Sequence, residues 1–244
     1  MGDKFMIRTG IRFTTLSLIG MLLIACWSDQ ALRDGDTIVF FGDSITELGV
    51  NPGGYVTLVK RAIDSAHPDK NIQVAGSGIS GHKVPDLQAR LEWDVLSCDP
   101  DIVFIYIGIN DVWHWELAKT QHNLSGTTPK DFEEGLIDMI LRMKEEGIQV
   151  ILCTPTVVGE QKAGVNPLDP MLDEYANISR KVSRSAEIQL LDLRASFVEF
   201  LEANNPDDTY QDILTYDGVH LNDRGNRFVA RLVLESLDVS VALE

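Results

Sequence analysis

Cysteine is scarce in this 244-residue chain: Cys26, Cys98 and Cys153 are the only three, and none has CxxC spacing. A disulfide-built scaffold and the usual zinc and redox arrangements are therefore excluded. Positive charge is scarce too, with 21 Lys and Arg against 37 Asp and Glu and a formal net charge of −16. Phosphate backbones need a basic footprint, so nucleic acid is excluded as a partner. No apolar run reaches the roughly 20 residues that a membrane-spanning helix needs. No repeat, linker or charge block breaks the sequence, and 44% hydrophobic with 24% charged residues is an ordinary globular balance. The length suits one domain with a sizeable core, or at most two small ones.

What is present begins with an address. Residues 1–25 hold Lys4, Arg8 and Arg12 against one acid, Asp3, which leaves −18 on the remaining 219 residues. The basic stretch precedes an uncharged apolar run from Leu16 to Ala25, the layout of a secretory signal peptide. The run ends in Leu23-Ile24-Ala25-Cys26, which resembles a bacterial lipobox and so implies lipid modification of Cys26. An ordinary signal peptide, or an uncleaved anchor with a chance cysteine, is the alternative, and Met6 is a second candidate start. The expectation is export from a bacterial cytoplasm, to the periplasm or cell surface, with membrane contact only through this N-terminal segment. Residues 1–25 are then the signal, and 29–244 the folded domain.

From Asp36 onward short apolar runs alternate with helical patterns. Thr37–Phe41, Asn71–Ala75, Asp101–Gly108, Ile148–Thr154 and Ile188–Leu193 read as strands. The third is nearly continuous in apolar residues, as expected when both faces are covered. Helices are expected from about Tyr55 to Ala66, over the spacing Val84, Leu87, Leu91 and Val95 with Asp86 capping early, around Leu172–Val182, and from about Asp223 to Leu237. The clearest follows Thr128 as N-cap, with Pro129 in the first turn, Asp131 at the capping-box position and Gly147 as the stop. Strand alternating with helix five times predicts a parallel sheet covered on both faces.

Open parallel sheets carry their chemistry beyond the carboxyl ends of the strands. Gly42-Asp43-Ser44-Ile45-Thr46 follows the first strand, Gly76-Ser77-Gly78-Ile79-Ser80-Gly81 the second, and Gly108-Ile109-Asn110-Asp111 the third. Asp217-Gly218-Val219-His220 stands just before the last helix. Each block has a plain reading: a turn, a loop needing positive φ, a helix cap, a surface histidine. Their order and context give another. Together they resemble the four consensus blocks of the SGNH hydrolases, also called GDSL esterases and lipases, from about Asp36 to Leu237.

The resemblance implies a three-layer α/β/α sandwich, flavodoxin-like, with a five-stranded parallel sheet in the order 2-1-3-4-5. It implies a serine carboxylester hydrolase that needs no metal or cofactor. Ser44 would attack the ester carbonyl, His220 would take and return the proton, and Asp217 would hold the imidazole. The backbone N–H of Ser44, that of Gly78 and the amide of Asn110 would form the oxyanion hole. Asp43 is read as a brace for the turn. Two departures stand out: Gly76 occupies a position where the family often has Asn, and Ile45 stands where the short family name implies Leu. A G-x-S-x-G elbow is absent, which argues against the larger α/β-hydrolase fold.

Two long loops, Val112–Thr127 and Val157–Asp169, are expected over the site. The first carries Trp113, His114 and Trp115, with two readings for the tryptophans: stacking on a sugar ring, or packing beneath the loop. His114 either contacts substrate or braces the loop. No broad apolar lid suits a long-chain lipase, so short acyl esters are expected, acetyl groups on carbohydrate in particular. Lysophospholipase or thioesterase activity is the alternative within the family. A non-catalytic, lipid-anchored carbohydrate-binding protein is the rival from another class. Cys98 precedes the third strand and Cys153 lies near the far end of the fourth, so both are expected as free thiols. The sequons at Asn123 and Asn177 are incidental in a bacterial lipoprotein.

Overall fold

In the computed structural model, residues 31–162 and 164–240 are described; the signal-peptide and Cys26 expectations lie outside them. The sheet comprises β1 (Thr37–Gly42), β2 (Gln73–Gly78), β3 (Ile102–Tyr106), β4 (Gln149–Cys153) and β5 (Gln189–Leu191). All pairings are parallel, in the order β2-β1-β3-β4-β5. Every residue of β3 is buried, and β1 and β4 are buried except at their first residues. That is why these three read as continuous apolar runs, whereas the edge strands β2 and β5 are only partly covered.

Eight helices surround the sheet among the described residues: α1 (Ser44–Gly49), α2 (Tyr55–Ala66), α3 (Val84–Asp94), α4 (Ile109–Leu117), α5 (Pro129–Glu145), α6 (Asp169–Ala186), α7 (Leu193–Asn204) and α8 (Asp223–Ser236). Right-handed crossovers send the β1-to-β2 connection to one face and the later connections to the other. The packing agrees: α2 lies against α8, while α5 touches both α3 and α6. Asn226 on α8 also accepts the Tyr55 N–H at 2.8 Å, tying α8 to the start of α2. The core runs through Phe40, stacked on Phe104 with centroids 4.7 Å apart and met edge-on by Tyr55 at 5.4 Å.

Thr128 caps α5 as its sequence suggests, its hydroxyl accepting the Asp131 N–H at 3.1 Å, and Gly147 ends the turn at φ +78°. Asp86 accepts the Lys83 N–H at 2.9 Å at the start of α3. Three readings are corrected. β2 begins at Gln73 and runs to Gly78, so the first half of the glycine-rich block, Gly76-Ser77-Gly78, ends the strand and only Ile79-Ser80-Gly81 follows it. Helix α4 takes up residues 112–117 of the expected first long loop, so Trp113, His114 and Trp115 lie on a helix. Helix α7 follows β5 directly because Asp192 is its N-cap, accepting from Ala195 N–H at 3.2 Å, and not a strand residue.

Candidate active site

The carboxyl ends of the strands are nearly level: Gly42 pairs with Gly78 on one side and Tyr106 on the other, and Tyr106 with Cys153. Residues leaving β1 thus emerge between those leaving β2 and β3, where connections depart in opposite directions. The chain passes from β1 into α1 through one residue. Asp43 makes this turn as N-cap, its carboxylate accepting the Ile45 N–H at 2.9 Å. Ser44 is then the first helical residue, only 8% exposed, at the N-terminal end of α1. Gly78 must be glycine for this approach, because a Cβ there would lie 2.1 Å from the Glu47 nitrogen and 2.6 Å from the Asp43 carbonyl.

Asp217 and His220 arrive from the loop before α8. Asp217 accepts the backbone N–H groups of Val219 at 2.9 Å and His220 at 2.7 Å on one oxygen. Its other oxygen lies 2.7 Å from Nδ1 of His220, and Nε2 of the same ring lies 2.9 Å from Ser44 Oγ. A carboxylate only accepts, so it holds the proton on Nδ1 and leaves Nε2 to accept from the Ser44 hydroxyl. Burial pushes the Asp217 carboxyl up, but the His220 ring and the two backbone donors outweigh it and keep it below the usual carboxylate range. An antiparallel bridge between Thr215 and Leu221 closes the base of this loop. Asn222 then caps α8 by accepting the Gly225 N–H at 2.9 Å.

Asn110, 4% exposed, is the second residue of α4, and its amide donates to the His82 carbonyl at 3.1 Å. That bond uses one of two amide hydrogens and fixes the plane of the other. His114 lies one turn further along α4, buried, with Nδ1 unpartnered in the structure. Burial, reinforced by the Lys83 ammonium, holds its pKa below the ordinary value. Trp113 packs half-buried against the core. Trp115 lies against the backbone of Gly126 and donates its indole N–H to the Thr127 carbonyl at 3.2 Å. These contacts brace the strap that follows α4.

Two charged residues that the sequence did not single out stand behind the site. Arg90 on α3 donates to the Gly42 carbonyl at 2.7 Å, the Ser77 carbonyl at 3.2 Å and the Ser77 hydroxyl at 2.7 Å, joining the ends of β1 and β2. It also pairs with Asp94 at 2.7 Å and lies over the Phe41 ring. Glu160, fully buried in the loop after β4, sits behind the loop that carries Asp217 and His220. Neither lies in one of the four sequence blocks, so no local signal marks them. Cys98 and Cys153 are free thiols. Among the described residues, no group of three His, Cys, Asp or Glu side chains is placed to hold a metal ion.

Residues 40–228 match the GDSL-like lipase/acylhydrolase family. The chain is 31% identical over 222 residues to an acetylxylan esterase of Geobacillus stearothermophilus, covering 84% of this chain and 95% of that one. It is 27% identical over 211 residues to the human isoamyl acetate-hydrolyzing esterase 1 homolog, covering 79% and 77%. Among solved structures, that of an acetyl xylan esterase superposes with a TM-score of 0.77 at 40% identity, covering 82% of this chain and 98% of that one.

Proposed function

The chain belongs to the GDSL-like lipase/acylhydrolase family and is a carboxylic ester hydrolase, and on that premise we propose that it removes acetyl groups from carbohydrate esters through Ser44, His220 and Asp217. The observation that carries the residue roles is the continuous hydrogen-bond relay from Asp217 through His220 to Ser44. Ser44 Oγ attacks the ester carbonyl while its proton passes to Nε2 of His220. The charge that develops on the carbonyl oxygen is met by the N–H groups of Ser44 and Gly78 and the free amide hydrogen of Asn110. His220 returns the proton to the departing sugar hydroxyl, leaving an acetyl ester on Ser44. Water, deprotonated by His220, then attacks that ester; acetate leaves and Ser44 regains its proton. Asp217 stabilises the imidazolium in both steps and keeps the ring in its productive tautomer.

Acetyl specificity and a xylan-like substrate are supported by the names of two of the most similar proteins. His114 is a candidate substrate contact or loop brace by its place on the helix that carries Asn110. The contacts of Trp113 and Trp115 support bracing over stacking on a sugar ring. Ser44→Ala is expected to lower hydrolysis of p-nitrophenyl acetate by about 10⁴-fold or more with the fold intact. Activity should fall steeply from acetyl to octanoyl esters, and acetylated xylan should release acetate. A rate that rises with chain length would favour the lysophospholipase reading instead. The N-terminal sequence supports a lipoprotein: Cys26 follows a lipobox-like Leu23-Ile24-Ala25. Labelled palmitate incorporated by the wild type and lost in Cys26→Ser would mark the anchor; equal labelling of both would remove it.

A further inference from the structure

We propose that Glu160 is a positioning residue for this hydrolysis: its buried carboxylate fixes the loop that presents Asp217 and His220 to Ser44. The inference rests on the reading of Ser44 and His220 as the reacting pair. Glu160 is wholly buried. Its carboxylate accepts three consecutive backbone N–H groups, from Ile213 at 2.7 Å, Leu214 at 2.6 Å and Thr215 at 2.7 Å. Successive N–H groups aimed at one point form an anion-binding concavity, and the bonds are charge-assisted. No Lys or Arg forms an ion pair with this carboxylate among the described residues. Its buried charge is compensated by the loop's own backbone, so charge and loop conformation depend on each other.

The neighbouring backbone extends the same attachment. Glu160 N–H donates to the Tyr210 carbonyl at 2.8 Å, and Gly159 N–H to the Gly218 carbonyl at 2.8 Å. Asn205 donates its amide to the Glu160 carbonyl at 2.7 Å. From Thr215 the path to the site is short: its hydroxyl accepts the Gly218 N–H at 3.1 Å, and Gly218 directly follows Asp217. Glu160 belongs to the loop leaving β4, and Ser44 to the turn leaving β1 of the same sheet. The carboxylate therefore references the Asp217–His220 loop to the sheet that holds the serine. Glutamine has the same shape but offers one acceptor oxygen, and it turns an amide N–H toward backbone donors.

The test compares full-length wild type, Glu160→Gln and Thr215→Val with p-nitrophenyl acetate, well below each unfolding temperature. Because a misplaced general base lowers transition-state stabilisation, kcat of Glu160→Gln should fall about ten- to hundredfold with KM nearly unchanged. The far-downfield proton NMR signal of the His220–Asp217 hydrogen bond should weaken or vanish in the folded variant. Thr215→Val should move both readouts the same way by less. If Glu160→Gln does not fold, Glu160→Asp, which draws the carboxylate back from the three N–H groups, decides on those two readouts. A folded Glu160→Gln with wild-type kcat and an intact downfield signal overturns the proposal, even if its Tm is lower. Failure of the functional reading would look different: wild-type Ser44 would resist a fluorophosphonate probe, whatever stands at 160.

Discussion

Asp43, beside Ser44, is the residue at which pH and stability meet most directly. Burial pushes its carboxyl from the ordinary 3.8 up to about 7; the Ile45 N–H opposes the shift, and the Asp111 carboxyl adds to it. Between those pH values the folded protein holds a proton that the unfolded chain has released. Stability contributed by this group is therefore complete below about pH 4 and falls as pH rises toward 7. Asp43→Asn keeps an acceptor that caps helices well and removes the ionisation. Its Tm relative to wild type should rise from pH 5 to about pH 7 and level off above it, measured by scanning calorimetry. Asp111, pushed up to about 6 mainly by burial, contributes in the same direction, so the difference reports Asp43 together with its repulsion of Asp111. Parallel Tm curves for the two proteins would rule the linkage out. At this scale the sequence was most legible where partners are close: Asp217 and His220 are three residues apart, and Ser44 sits at a strand end. Glu160 was invisible because its partners lie 53–55 residues away, and Arg90 because its bond to the end of β1 reaches 48 residues back to Gly42.

Elements were legible in proportion to how completely they are buried. The central strands announce themselves as apolar runs, whereas β5 has only three residues and its sequence pattern absorbed the cap of the next helix. Helix α7 has Leu193, Phe197 and Leu201 buried at helical spacing, a signal masked by Asp192 looking like strand. Helix α4 was concealed by its start: it is capped by Gly108 at φ +125°, not by a side chain. Arg90, 11% exposed, is the link from α3 to the carbonyls ending β1 and β2. Arg90→Ala would leave those acceptors and Asp94 unpaired in a poorly solvated place. Loss of about 2–4 kcal/mol in urea unfolding is expected. Activity should fall as well, because Ser44 and Gly78 sit one to two residues beyond Gly42 and Ser77. Arg90→Lys should recover little, since an ammonium cannot reproduce a planar fork that serves several acceptors. Full recovery by lysine would reduce the role to charge alone.

Across the whole molecule the dominant unassigned property is acidity. The net charge of −16 is not offset by the observed pairs, several of which, such as Lys60–Asp64 and Lys130–Glu134, join exposed neighbours on one helix. Such pairs contribute about 0–1 kcal/mol each. The remaining negative charges repel one another more in the compact state than in the expanded chain. A small neutral ester carries no charge for the acidic groups to repel, so this repulsion acts on stability and leaves the reaction on such substrates alone. Raising NaCl from about 0.05 to 0.5 M shortens the screening length to a few ångströms. Tm should then rise by a few degrees, while kcat/KM on p-nitrophenyl acetate stays within about twofold. Chloride is the right salt, because sulfate stabilises folded proteins by exclusion whatever their charge. An acetylated glycan bearing carboxylates should behave differently from the neutral ester. Its approach to an acidic surface is opposed at low salt, so its kcat/KM should climb as salt is added. A flat Tm would mean that the acidic groups are spaced widely enough for water alone to screen them. A falling Tm would mean that the ion pairs contribute more than the repulsion removes.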